Sequence, residues 1–268
     1  MSIPSTSTLN SSAITAALGA KARRFAIRTL AECDSSNSRL RDEPSPDDGR
    51  VHVLVCERQS AGRGRRGRQW LSAPGASLTF SMRWRFPPET SAPAGLSLVA
   101  GLAVARSLEG LGVEAVQLKW PNDVLVTGRK LAGILVELVG GGAAGVEAVI
   151  GIGINLRPLP EDDLPDGLAV AAVSELLASP PSRERLLAGL LLQFDLMLET
   201  YGAAGFAAFR GAWEQRNAHA GLPVRVGDDA GEILGTCLGV DDDGALCLQT
   251  DAGERRVIAG DVSLRPAP

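Results

Sequence analysis

Leu78-Thr-Phe-Ser-Met-Arg-Trp-Arg-Phe86 alternates apolar and polar residues without a break. Side chains of a strand point to opposite faces in turn, so Leu78, Phe80, Met82, Trp84 and Phe86 face a core. Thr79, Ser81, Arg83 and Arg85 face solvent or a ligand. Upstream, Val51 to Cys56 is a compact β-branched run that reads as a buried strand, and Phe25 to Leu30 is a candidate first strand. Downstream, Leu96 to Leu108 is apolar nearly all round, as a helix behind a sheet would be, and Gly110 and Gly112 stop it. Val116 to Trp120, Leu131 to Val139 and Val146 to Leu156 read as further strands, and Arg183 to Tyr201 and Ala203 to Arg216 as helices. Strands interleaved with helices predict an α/β domain with a mixed sheet backed by helices.

From Leu222 onward the pattern changes. Val224–Val226, Gly235–Val240, Ala245–Thr250, Arg255–Ile258 and Val262–Leu264 are short β runs separated by Asp/Gly turns. Five such strands in so short a segment predict a small C-terminal barrel. At the other end, residues 1–24 are Ser/Thr/Ala-rich and read as a loose tail with a short helix near Ala13 to Leu18. Residues 157–167 carry three prolines and four acidic residues and read as a mobile loop.

The chain of 268 residues is 45% hydrophobic and 22% charged, which fits a folded protein with a main domain and a small satellite. A net charge of −4 gives no general reason for nucleic-acid affinity. Cys33, Cys56, Cys237 and Cys247 form no C-x-x-C pair and read as reduced thiols; with His52 and His219 they show no zinc-ligand spacing. The start lacks a signal-peptide core. No stretch reads as the roughly 18 apolar residues of a membrane span, Ala94 to Ala105 being the longest candidate. Cytoplasmic location without membrane attachment is the expectation.

Against the acidic average stands Glu57-Arg-Gln-Ser-Ala-Gly-Arg-Gly-Arg-Arg-Gly-Arg-Gln-Trp70. Gly62, Gly64 and Gly67 satisfy G-x-G-x-x-G, but Leu71-Ser-Ala-Pro-Gly75 cannot open the helix a dinucleotide fold requires. A P-loop fails because Arg68 and Gln69 stand where Lys and Ser/Thr belong. A nucleic-acid patch and a plain solvated loop remain open readings. Close glycines let backbone N–H groups approach an anion, and guanidinium forks match carboxylate and phosphate oxygens. The segment therefore reads as a loop that closes over a phosphorylated ligand, with Trp70 as a wall or as core.

Gln117-Leu-Lys-Trp-Pro-Asn-Asp-Val124 sets Lys119 on the strand face opposite Leu118, beside Asn122 and Asp123 in a turn. Lysine, amide and carboxylate suit phosphate and Mg²⁺, although an ordinary hairpin turn has the same composition. Lys130, which opens the strand Gly128-Arg-Lys-Leu-Ala-Gly-Ile-Leu-Val-Glu137, is a candidate to hold a carboxylate as it becomes an acyl phosphate. In Ile150-Gly-Ile-Gly-Ile-Asn-Leu156, Gly151, Gly153 and Asn155 share one face, either cleared for a ligand or packed closely.

In order, G-R-G-R-R-G-R-x-W (62–70), K-W-P-N-D (119–123), R-K-L-A-G-I-L-V-E (129–137) and G-I-G-I-N (151–155) resemble the biotin–protein ligases. The likeness runs from about Phe25 to the C-terminus. It implies a biotin/lipoate ligase-like catalytic domain (25–217) and a C-terminal SH3-like barrel (218–268). The family's Asp-Ser-Thr-Asn is here Asp34-Ser35-Ser36-Asn37, which keeps the hydroxyl and loses a methyl. By this resemblance Ser35, Ser36, Asn37, Gln59, Gly62, Arg63, Gly64, Arg65, Lys130 and Gly133 should surround biotin. Arg65, Arg68, Trp70, Lys119, Asn122 and Asn155 should meet ATP and the adenylate. Arg65, Lys119, Lys130 and Asp123 should carry the chemistry, with Mg²⁺ at Asn122 and Asp123, and Asp123 also placed for the acceptor lysine.

The implied reaction activates biotin with ATP to biotinyl-5′-AMP. It then transfers biotin to a lysine on the biotin carboxyl-carrier domain of a biotin-dependent carboxylase. Some bacterial members carry a DNA-binding helix-turn-helix of about sixty residues before this region; the 24 residues here are too few, so no DNA binding is expected. A homodimer is one candidate assembly. A lipoate ligase of the same fold is the nearest alternative, and a nucleic-acid-binding protein using the arginine loop is another.

Overall fold

A computed structural model of the chain describes residues 9–87, 93–140, 145–160, 169–228, 231–258 and 263–266. Two sheets organise it. The larger has seven strands: β1 (Phe25–Cys33), β2 (Val51–Gln59), β3 (Ser77–Arg85), β4 (Val116–Lys119), β5 (Asp123–Val126), β6 (Arg129–Val139) and β7 (Glu147–Asn155), in the order β1-β2-β3-β7-β6-β5-β4. Only β1 and β2 pair in parallel, so the sheet is mixed. The parallel pair is allowed by the crossover through α2 (Ser36–Asp42).

The alternation read from Leu78 to Phe86 is realised. Leu78, Phe80 and Met82 are fully buried, beside Ile150, Ile152, Ile154, Ala132 and Ile134 on the neighbouring strands. α3 (Leu96–Glu109) packs on this apolar face, and Gly101 lets it approach until an added Cβ would stand 3.5 Å from Leu118. The longest helix, α5 (Arg183–Ala204), lies beside α3 and buries Leu187, Leu190, Leu191, Phe194 and Leu198. α5 is long and apolar enough to cross a membrane by length and composition, which the sequence reading did not flag. Of its apolar stretch, 56% is buried in this core. The other face of the sheet carries α2 and the candidate site.

Residues 9–24 are not a loose tail. Asn10 caps α1 (Ser11–Leu18), accepting from the N–H groups of Ser12 and Ala13. Leu9, Ile14 and Leu18 are buried in the main core. Buried Asp195 on α5 receives Lys21 at 2.9 Å and Arg24 at 3.0 Å, and Arg24 also lies over the Trp84 ring. Buried Glu57 accepts from Leu9 N–H and from Arg183. The segment therefore contributes a layer of the core. The span Ala203–Arg216 is likewise not one helix: Gly205 at φ 66° breaks it, and a short 3₁₀ turn and α6 (Arg210–Glu214) follow. Between β7 and α5 the described residues include a short turn of helix, α4 (Val173–Leu176).

The second sheet contains β8 (Pro223–Asp228), β9 (Gly231–Val240), β10 (Leu246–Thr250), β11 (Gly253–Val257) and β12 (Ser263–Pro266), ordered β11-β10-β9-β8-β12 and antiparallel throughout. Its edge strands β11 and β12 are not paired with each other among the described residues. It docks beside the first sheet through Trp120 Nε1, which donates to the Gly244 carbonyl at 3.1 Å, and on α6 through Glu214, which accepts from Val240 N–H. Of the loop read as mobile, residues 161–167 lie outside the described residues.

Candidate active site

Cross-strand register puts one line of residues over the polar face: Lys119 opposite Asp123, Asp123 opposite Gly133, Gly133 opposite Gly153, and Gly153 opposite Thr79. Directly opposed residues share a face. The line begins with a cation and a carboxylate and passes over two glycines to a buried hydroxyl. Lys130 joins it because the β5–β6 pairing slips by one residue between Val124 and Leu125. Without that bulge, alternation would turn Lys130 away from Asp123. With it, Lys130 Nζ lies 2.6 Å from Asp123 Oδ1, beside Gly133. Asp123 Oδ1 is buried and takes no directed hydrogen bond, so the contact is an ion pair.

Trp70 lies across the two glycines. A Cβ on Gly153 would fall 2.2 Å from the Trp70 ring, and one on Gly133 would fall 3.1 Å from it. The floor is therefore cleared, but by the packing reading at least in part: Trp70 occupies it, with Lys130 Nζ 5.7 Å from the ring centroid. The indole N–H of Trp70 is buried without a partner. A buried donor left unpaired costs about 1–3 kcal/mol, so this group is suited to receiving a ligand acceptor. Gly151 gives its space to Asn37, whose Oδ1 would lie 2.4 Å from an added Cβ.

Around Asn37 is a closed polar network. Ser35 caps α2 through Ser38 N–H. Gln59 Oε1 accepts from Ser36 N–H at 2.7 Å and from its hydroxyl at 3.1 Å. The Ser36 hydroxyl meets Ser81 at 2.7 Å, and Ser81 donates to Asn37 Oδ1 at 2.7 Å. Asn37 Nδ2 donates to Glu137 at 2.8 Å. Ser35, Ser36, Asn37 and Gln59 are thus together, buried, and next to the glycine floor. The Ser36 hydroxyl is used structurally here, which a threonine at that place would also allow.

The arginine–glycine segment folds back on itself between β2 and β3. Gly64 N–H donates to the Arg68 carbonyl, Trp70 N–H donates to the Gly62 carbonyl, and Arg63 bridges Gln69. Gly62 is required: a Cβ there would stand 2.3 Å from the Trp70 carbonyl oxygen. Arg65 to Gly67 make a 3₁₀ turn in which Arg66 takes the left-handed conformation (φ 59°). Arg63 reaches Glu137 at 3.0 Å, and Arg66 reaches the Gly227 carbonyl on β8. Arg68 is exposed.

Two expected nucleotide contacts have partners within the fold. Asn122 Nδ2 donates to the Ile134 carbonyl at 2.8 Å, and Asn155 Nδ2 donates to the Lys130 carbonyl at 3.1 Å. Both amides thus brace β6 beside Lys130. His219, buried near Lys119, is held neutral: burial, and then the Lys119 charge, lower its pKa to about 4. Glu137 and Ser81 are site residues to which the sequence gave no role. For Ser81 the signal was its place on the polar face of β3; for Glu137 it was only its position in β6.

A cavity of about 590 Å³ lies elsewhere, at the β1 edge, lined by Arg23, Arg28, Arg50, His52 and Arg83 among others. Its arginines are largely engaged, Arg28 with Glu43 and Arg50 with Asp48, and the His52 ring is hydrogen-bonded to Asp48 as well. The chemistry-bearing residues converge on the glycine floor instead. Among the described residues no group of three or more His, Cys, Asp or Glu is arranged around a metal.

Comparison with known proteins identifies the family. Residues 30–155 match the biotin/lipoate A/B protein ligase family, and residues 219–265 match the biotin protein ligase C-terminal domain. The bifunctional ligase/repressor BirA of Salmonella typhimurium is 39% identical over 248 residues, covering 90% of this chain and 75% of that protein. The biotin–[acetyl-CoA-carboxylase] ligase of Paracoccus denitrificans is 38% identical over 242 residues, covering 87% of this chain and 98% of the relative. The biotin protein ligase of Aquifex aeolicus, solved with biotin and ATP, superposes with a TM-score of 0.78 at 31% identity over 90% of this chain and 99% of that one. The glycine floor, its lysine–aspartate pair and the buried Ser36–Asn37–Gln59 network therefore belong to a member of the biotin protein ligases.

Proposed function

We propose that the chain joins biotin to AMP from ATP and then passes the biotinyl group to a lysine of a biotin carboxyl-carrier domain. The observation that carries this reading is the line Lys119–Asp123–Gly133–Gly153, with Lys130 and Trp70 on it and the amide–hydroxyl network beside it. A neutral cyclic urea needs paired donors and acceptors, which Ser36, Asn37 and Gln59 offer in a buried setting. An apolar ring needs a floor without side chains and a flat wall, which Gly133, Gly153 and Trp70 offer.

Activation brings two anions together. A biotin carboxylate oxygen attacks the α-phosphorus, the bond to the bridging oxygen breaks, and pyrophosphate leaves. Preplaced cations lower the cost of that approach. Lys130, now paired with Asp123, would exchange that carboxylate for the substrate's; Arg65, on the tight turn, and Lys119, at the end of the line, would neutralise the phosphates. Asn122, Asn155 and Arg68 border the nucleotide side. In the second step the acceptor amine attacks the acyl carbon, AMP leaves, and the amine loses a proton. Asp123, freed from Lys130, is the carboxylate placed to orient that amine.

Mg²⁺ would be held by Asp123 and the side-chain carbonyl of Asn122. The fit rests on the donor set, a carboxylate now paired with Lys130 and an amide whose nitrogen is turned to the Ile134 carbonyl, and on the habit of Mg²⁺ to use one or two carboxylates plus substrate phosphates. When bound, the ion would offset phosphate charge. The division into a catalytic part (25–217) and a C-terminal SH3-like part (218–268) fits the change from the mixed to the antiparallel sheet, closure of the latter being part of the proposal. A cytoplasmic setting follows from the carrier-domain substrate.

The test is direct. The chain is incubated with biotin, Mg·ATP and a carrier domain, and the carrier is weighed by mass spectrometry. A gain of one biotinyl group is expected, with none when lipoate replaces biotin. No gain with biotin, or an equal gain with lipoate, overturns the assignment.

A further inference from the structure

Glu137 lies where three elements meet. Its Oε1 is 3.0 Å from Arg41 Nη1 on α2 and 3.0 Å from Arg63 Nη1 on the arginine–glycine loop. Its Oε2 accepts from Asn37 Nδ2 at 2.8 Å and from Arg63 Nη1 at 3.1 Å. The carboxylate is 17% exposed. Asn37 continues through Ser81 and Ser36 to Gln59, which stands at the root of the same loop, with its Nε2 3.3 Å from the Cβ position of Gly62. Loop, strand and helix are therefore joined in a ring that closes through one negative charge. A second loop contact, Arg63 to the Ser38 hydroxyl at 3.3 Å, ends on α2 as well.

From this ring we propose that Glu137 is a positioning residue: a carboxylate latch that holds the arginine–glycine loop shut over the adenylate and fixes the amide orientation of Asn37. The inference rests on the reading of this site as a biotin-activating one. The reason is charge. Arg41 and Arg63 point at one carboxylate from different elements. With that carboxylate neutral, the two guanidinium groups oppose each other, and α2 and the loop lose their common anchor. Asn37 keeps only a neutral carbonyl oxygen as the acceptor for its amide, a weaker partner than a carboxylate, so its orientation toward Ser81 is held less firmly. Arg63 is 41% exposed at its side chain, so the latch is weakened by solvent and the expected effects are moderate.

Glu137→Gln in the full chain is expected to release biotinyl-5′-AMP about five- to tenfold faster than the parent, equivalent to one partly buried charged contact. The Km for biotin should rise by a similar factor, while transfer from bound adenylate to the carrier keeps its rate. Arg41→Gln, which removes a partner of the same carboxylate but not the loop contact, should leave adenylate release within about twofold of the parent. Arg63→Gln combined with Glu137→Gln should be no worse than the more severe single variant. A residue that only supports folding would lower the melting temperature without separating release from transfer and without this non-additivity.

A second arm needs no biotin: trypsin should cut within 62–70 faster in Glu137→Gln than in the parent. The latch is overturned if the folded Glu137→Gln variant releases adenylate at the parental rate, if the two substitutions add, or if the loop is cut no faster. A parent that forms no adenylate would instead overturn the biotin reading, and the trypsin arm would still decide whether Glu137 holds the loop.

Discussion

At Gly153 one added carbon meets the Trp70 ring at 2.2 Å, closer than any real Cβ contact. The strand cannot yield easily, because Gly153 is paired on both sides, to Thr79 and to Gly133. The ring can, since Trp70 sits on a loop rather than inside an element. Gly153→Ala should therefore fold and displace Trp70. The expected result is a rise of about tenfold or more in the Km for biotin, in line with about 1–3 kcal/mol for overpacking a tight site. It is checked by steady-state kinetics alongside a melting curve; an unchanged Km with intact folding would show that the Trp70 position does not matter. Gly133→Ala, where the nearest atoms lie at 3.1–3.3 Å and belong partly to the flexible end of Lys130, should cost less. The two glycines were legible in the sequence by alternation alone. Trp70 as their occupant was not, because contact between a loop residue and a strand several elements away leaves no periodic trace. Nor was the orientation of Lys130, which depends on a one-residue bulge that only the β5–β6 pairing reveals.

Elements were legible in proportion to how strongly their burial is patterned. β3 and β7 are flanked on both sides by strands, so their apolar face is nearly continuous and their polar face is occupied by the site. α1 shows a different case. A short helix near Ala13 to Leu18 was legible, but not its docking: of its eight residues only Ile14 and Leu18 are buried, too few to mark a core-facing stripe. What fixes it is tertiary: these two side chains and Leu9 enter the core next to α5, and Asp195 and Glu57 tie down the flanking residues. If so, α1 is worth real stability. Ile14→Ala should destabilise the chain by about 2–4 kcal/mol, whereas Thr15→Ala on the exposed face should stay within about 0.5 kcal/mol. Chemical denaturation of both variants measures the difference. Equal midpoints would mean that residues 9–24 behave as the composition alone implied. The break at Gly205 follows the same logic, since a left-handed backbone there stops a helix that residue propensities would have continued.

For the molecule as a whole, the junction between the two sheets is the place where pH should act. Leu118 N–H donates to the Arg216 carbonyl, Ala218 N–H donates to the Leu118 carbonyl, and Arg66 of the loop reaches β8, so the C-terminal sheet, the lysine strand and the loop share one boundary. His219 sits in that boundary, 6% exposed, with Nδ1 unpartnered. Burial first, and the Lys119 charge second, lower its pKa from 6.5 to about 4. The folded form therefore prefers neutral His219, and below the unfolded pKa the unfolded chain binds the extra proton. This part of the stability is complete above about pH 6.5 and is lost as pH falls from there through about 4. Between pH 6.5 and 5, where most carboxylates are still ionised, the loss should be about 1.5 kcal/mol. His219→Leu removes the titrating group, so its stability should be flatter over that interval than the parent's. Denaturant midpoints at the two pH values for both proteins give the comparison, and the imidazole resonances followed by NMR give the titration itself. Parallel slopes in the two proteins, or an imidazole that titrates near 6.5 in the folded chain, would mean that the boundary admits water and does not hold His219 neutral beside Lys119.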